Sequence, residues 1–126
     1  IAARYAHGLA GASGLEIPSA PARGRHAWHL YVVRVKPDYG VSRDVLAEQL
    51  ADRGIGTSVH FIPLHHMPRY REVARLSPRG LPGADAVFQE ILSLPMHQGL
   101  TDDEVDHVVS TVSELQSRSL VQEVRK

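Results

Sequence analysis

The chain has 126 residues, 43% of them hydrophobic and 22% charged, with fourteen Lys and Arg balanced by fourteen Asp and Glu. That length suits one domain able to bury roughly two thirds of its unfolded surface, and zero formal charge gives no electrostatic footprint for nucleic acid or an anionic membrane. The lack of cysteine excludes disulfides, thiolate metal sites and Cys nucleophiles, no apolar run reaches the ~20 residues of a membrane span, and a cytoplasmic location is expected.

Residues 1–10 read as a helix already in progress, with Ile1, Tyr5 and Leu9 at i, i+4 spacing and no capping residue before them. There is no starting methionine, which fits a processed chain or, the preferred reading, the C-terminal part of a longer protein. Gly11 to Gly24 is rich in Gly, Pro, Ser and Ala and reads as a connection with at most a short strand near Leu15 and Ile17. Ala27 to Val35 is the strongest strand pattern, with Trp28, Leu30 and Val32 on one face and Tyr31, Val33 and Val35 on the other. Apolar bulk on both faces predicts a central strand. Lys36 to Gly40 breaks it, and Ser42 is placed to cap a helix from Arg43 to Arg53 that buries Val45, Leu46 and Leu50.

Gly54 suits the left-handed position that ends this helix. A short strand is expected from Ile55 to about Phe61, stopped by Pro63, with His65 and His66 on the rigid turn that follows. A short helix is expected from Pro68 to about Leu76, a loop from Ser77 to Gly83, and a helix from Ala84 to Glu90 with Ala84, Val87, Phe88 and Ile91 on one side. Ile91 to Met96 reads as a strand with Pro95 at an end or edge. Thr101 and Glu104 form a capping box, and Val105, Val108, Val109, Val112 and Leu115 follow at helical spacing. The polar residues after Gln116 either extend that helix or fray. Strands interleaved with helices around one core predict an α/β (α+β) two-layer sandwich.

Eight histidines invite a metal reading. On a strand, however, His26 and His29 would face opposite ways. His60 and His65 could converge with His97, but no carboxylate or cysteine lies between Arg53 and Tyr70 to complete a catalytic zinc set. The expected role of these imidazoles is to line a cleft or make core hydrogen bonds, with no metal bound. Gly54-Ile55-Gly56 follows a helix rather than preceding one, so it lacks the positive helix end of a phosphate loop. Ser58 and His60 lack the strand–turn–helix elbow of a serine nucleophile.

An ordered series remains: His26-x-Trp-His-Leu-Tyr-Val-Val-Arg34, Arg43-Asp-x-Leu46, Leu50-x3-Gly54-Ile-Gly-Thr57, Val59-His-Phe-x-Pro-Leu-His65 with Pro68-x-Tyr70, Leu92-Ser-Leu-Pro-Met-His97, and Leu100-Thr-x-x-Glu104. Together these segments resemble the C-terminal part of the DegT/DnrJ/StrS family of pyridoxal-phosphate aminotransferases, which aminate keto-sugars, usually nucleotide-linked, and cyclitols. The resemblance runs to about Ser117. It implies a small, mainly antiparallel sheet with helices, as in the small domain of fold type I aminotransferases: residues 1–13 end an interdomain helix, 14–117 form the small domain and 118–126 a helical or frayed tail. It also implies that a large N-terminal domain of roughly 250 residues, supplying the Schiff-base lysine and most cofactor contacts, is the missing partner. The parent would be a homodimer carrying PLP and taking its amino group from glutamate or glutamine. Thr57, His60 and His65 are the expected substrate contacts. This chain has only Lys36 and Lys126, neither in the family's lysine motif, so it is expected to hold no PLP and no catalytic residue by itself. Two other readings stand beside this one, a non-enzymatic binding module of the same fold and a small histidine-metal hydrolase.

Overall fold

Tyr31–Val35 (β2) forms the centre of a three-stranded antiparallel sheet, flanked by Leu15–Glu16 (β1) and Ile91–Leu94 (β3) in the order β1-β2-β3. This computed structural model describes the backbone of residues 1–123 and the side chains of residues 1–116. Register pairs Leu15 with Val35, Tyr31 with Leu94 and Val33 with Leu92, so these six side chains share one face. All six are buried. The opposite face carries Val32, Arg34, Ile91 and Ser93.

The helical layer is built from Ala2–Gly8 (α1), Arg43–Ala51 (α2) and Asp102–Glu123 (α5), which supply Tyr5, Leu46, Leu50, Val105, Val108, Val112 and Leu115 to the core, joined by Leu9 just past α1. Two further helices, Pro68–Val73 (α3) and Pro82–Glu90 (α4), bury no side chain completely. Tyrosine hydroxyls tie the layers together: Tyr5 donates to the Pro95 carbonyl at 2.9 Å and Tyr39 to the Val112 carbonyl at 2.7 Å. Burial pushes the Tyr5 hydroxyl up to about 12, and that of Tyr39 further still. Arg4 on α1 grips Asp106 on α5 through two bonds of 2.6 Å and pairs with Asp102 at 2.9 Å.

Helix ends follow their expected chemistry. Ser42 Oγ accepts from the Val45 amide at 3.3 Å. At the other end of α2, the Gly54 amide donates to Ala51 and the Ile55 amide to Leu50, with Gly54 at φ +76°, which is the paired closure of a Schellman motif. Thr101 and Glu104 exchange side-chain-to-amide bonds of 2.7 and 3.2 Å, the reciprocal capping box.

Four expectations are corrected. The strand expected from Ala27 begins only at Tyr31, because Trp28 takes φ +50° and leaves the pleat. The strand expected over Ile55–Phe61 contracts to one bridge, Ser58 with Ser93, whose two backbone bonds of 3.3 and 2.8 Å are its whole ladder. Val45 is 38% exposed, and α2 buries Arg43 instead, whose guanidinium donates to the Ile91 carbonyl at 2.9 Å. Of the four residues expected on the buried side of α4, Ala84 and Val87 are exposed and Phe88 is half-buried against Arg43 and His66 rather than the core, while Ile91, where β3 begins, is buried as expected. α5 runs on through the expected tail to Glu123; residues 124–126 and the side chains of Leu120 and Val121 lie outside the described residues.

Candidate functional site

The segment after α2 is held at three points. Gly54 closes the helix, Ser58 bridges to Ser93 on β3, and Pro63 opens a 3-10 turn over Leu64–His66, capped when the Met67 amide reaches Leu64. Proline fixes φ at the turn's entry, and the next proline, Pro68, starts α3, so the two histidines between them stand on a short, stiff corner.

His60 is half-buried, and its Nδ1 lies 2.9 Å from Ser93 Oγ and 3.2 Å from Ser58 Oγ, on the sheet face opposite the core. Its other nitrogen is available for a ligand group. Thr57 is half-buried two residues after Ile55 turns into the core. His65 is almost covered, its side chain 10% exposed, and its Nε2 sits 2.7 Å from Asp85 Oδ1 on α4. His66 brings its own Nε2 to the same oxygen at the same distance. The bond from His65 is the largest influence holding the Asp85 carboxyl below its ordinary range.

The sequence-predicted contacts therefore separate into two clusters, His60 with Ser58 and Ser93, and His65 with His66 and Asp85. His97 joins neither as a third ligating group; it lines a groove with Ile55, Gly56, Leu100 and His107. His26 accepts from the Trp28 amide at 2.8 Å and lies tilted against that indole, ring centres 4.0 Å apart, in a loop rather than on a strand. Asp85 and Ser93 escaped sequence reasoning because each lies 20 residues or more from its imidazole, and no local pattern marks either.

Lys36 is the one described lysine. Its Nζ lies 2.8 Å from Glu90 and 3.8 Å from Glu16, in a cluster with Arg34 that lowers the Glu90 carboxyl, the Lys36 bond first. Bonded to one carboxylate and close to a second, the Lys36 amine is engaged on this surface and not directed at an aldehyde. The described residues therefore do not fit a pyridoxal cofactor's aldehyde.

Residues 1–113 match the family model of the DegT/DnrJ/EryC1/StrS aminotransferase family. The spore coat polysaccharide biosynthesis protein SpsC of Bacillus subtilis is 39% identical over 117 residues, covering 91% of this chain and 30% of that protein. The aminotransferase TlmJ from Streptoalloteichus hindustanus superposes with a TM-score of 0.80 at 36% identity, over 93% of this chain and 30% of that one. The sugar aminotransferase CalS13 from Micromonospora echinospora does so with a TM-score of 0.76 at 30% identity, over 90% of this chain and 28% of its own. The chain spans about 30% of the length of the relatives it matches.

Proposed function

The chain belongs to the DegT/DnrJ/EryC1/StrS aminotransferase family, and on that premise we propose that it acts as the small domain of a PLP-dependent enzyme that aminates a keto-sugar. The observation that carries this reading is the family match over residues 1–113 in a chain about 30% as long as its relatives. The likeness to the fold of aminotransferases of known structure supports it. So does the Lys36 ammonium, committed to Glu90 and Glu16. The large domain supplies PLP and its lysine, and residues 14–117 close one side of the substrate cleft. The substrate is a nucleotide-linked sugar or a cyclitol, the donor is glutamate or glutamine, and the working enzyme is a cytoplasmic homodimer. Among the described residues no helix is long and apolar enough to cross a membrane.

Within this reading Thr57, His60 and His65 meet the substrate. With Nδ1 engaged by the two serines, His60 presents Nε2 to a hydroxyl or phosphate oxygen at little ordering cost. His65, whose Nε2 is committed to Asp85, makes its contact through Nδ1. When bound, the cofactor would supply the electron sink that lets the amino group move; this chain's residues bind and orient the sugar and help exclude water.

Mixed with pyridoxal phosphate, glutamate and a nucleotide-linked keto-sugar, the chain alone is expected to give no borohydride-reducible absorbance and no amino-sugar. Turnover by this length of polypeptide would overturn the proposal. In the intact enzyme, His60→Ala should lower kcat/KM with the melting temperature nearly unchanged, whereas unchanged kinetics would return His60 to a packing role.

A further inference from the structure

In sequence no carboxylate lies between Arg53 and Tyr70, an objection to a metal on the paired histidines. The fold removes that objection, because α4 brings Asp85 onto the same corner. We propose that His65, His66 and Asp85 form a binding site for a divalent transition-metal cation of the zinc class, clamping the 3-10 turn Leu64–His66 to α4.

The donor atoms, Nε2 of each histidine and a carboxylate oxygen of Asp85, all lie within 4.8 Å of one another, the one such trio among the described residues. Two imidazoles and a carboxylate are the donor set of borderline cations such as Zn²⁺, and leave a fourth position for water. Calcium and magnesium, which demand oxygen ligands, do not suit it. A tetrahedral ion with bonds of about 2.0–2.1 Å needs its ligand atoms roughly 3.3 Å apart. Each Nε2 is 2.7 Å from Oδ1, so each of these two pairs has to open by about 0.6 Å, and the two Nε2 atoms already lie within 4.8 Å of each other.

Three features hold the site ready. His65 is 90% covered, so its ring orientation is set by packing. The two imidazoles meet edge to face at 4.4 Å, and His66 leans on Phe88 one turn along α4 from Asp85. Asp85 is 44% exposed and His66 31%, which gives an entry path and room for the water. To bind the ion each Nε2 gives up its proton, to Nδ1 of the same ring or to solvent, so that both bound rings are neutral with their N–H on Nδ1. A ligating histidine donates that second N–H more strongly, so the site sharpens His65 Nδ1 as a donor without competing for it.

Titration of the full chain with Zn²⁺ in a non-chelating buffer, followed by calorimetry and by imidazole NMR, tests this. One equivalent should bind, with the rings of His65 and His66 shifting together and the other six histidines still. His66→Ala and Asp85→Asn should each weaken binding at least ~10-fold, since even an outer-sphere partner is worth that much, and His7→Ala should leave it unchanged. Absence of stoichiometric binding, shifts on other rings, or a loss equal in His7→Ala would overturn the site. The NMR readout on the unaltered chain decides the matter even where a variant fails to fold. None of these outcomes depends on amination, so the metal site and the aminotransferase reading stand or fall separately.

Discussion

Gly14 sits where no other residue fits. Its φ is +66°, and a Cβ there would fall 2.0 Å from the Tyr39 backbone nitrogen, in the wall that holds Lys36 to Gly14 through a 2.8 Å amide bond. Gly11 has φ +85° but open space around it. Gly14→Ala is therefore expected to cost about 2–5 kcal/mol, backbone strain plus overpacking, and Gly11→Ala about 1–2 kcal/mol from strain alone. Denaturant melts of the two variants check this, and equal losses would sink the close-approach argument. Four carboxylates obey one sign rule at this scale. Asp85 is lowered first by His65, Glu90 by Lys36, Glu104 by the Thr101 amide and Asp106 by Arg4. A depressed folded-state value means that the unfolded chain binds more protons. The stability these groups contribute is thus complete above the ordinary carboxylate range, about pH 4, and drains away as pH falls through the lower folded values. A urea midpoint that does not move between about pH 5 and pH 3 would contradict it, and Asp106→Asn should flatten the decline.

Elements here owe their ends to side chains and their positions to packing. The α5 start depends on a threonine and a glutamate in reciprocal bonds. Thr101→Ala should cost about 1 kcal/mol, read as a lowered melting temperature, while Thr101→Ser should be nearly neutral. The histidine-bearing segment shows the converse. Its apolar run, Ile55 to Phe61, reads as a strand, yet it pairs at one bridge only, and Phe61 and Ile62 end 72% and 52% exposed. Hydrophobicity at period two says that a residue prefers burial, but the partner that would bury it comes from elsewhere in the molecule.

Across the whole molecule, apolar exposure concentrates on one stretch of chain. Phe61, Ile62, Leu64, Tyr70, Val73, Leu76 and Leu81 are each more than 40% exposed, whereas the sheet, α1, α2 and α5 bury a continuous core. Seven such residues fall within 21 positions, and on the function proposed above this stretch is the one that meets the large domain. Phe61→Ser and Leu64→Ser should thus reduce the chain's binding of an apolar dye while changing stability by no more than about 0.5 kcal/mol; a cooperative loss of stability would mean that both side chains pack in the core.

By itself the sequence determined the features that act over a few residues: the cap of α2 at Ser42, its closure at Gly54, the capping box, the buried stripe of α5 and the central place of Tyr31–Val35. It also carried the family through an ordered series of short motifs. Tertiary structure alone decided that Trp28 leaves the strand, that Arg43 is buried on a β3 carbonyl, and that His60 and His65 belong to different clusters. The physical reason is range. Caps and periodicity are settled by bonds four or five residues long, whereas Ser93 and Asp85 reach their imidazoles across 33 and 20 residues, and only the folded chain brings them there.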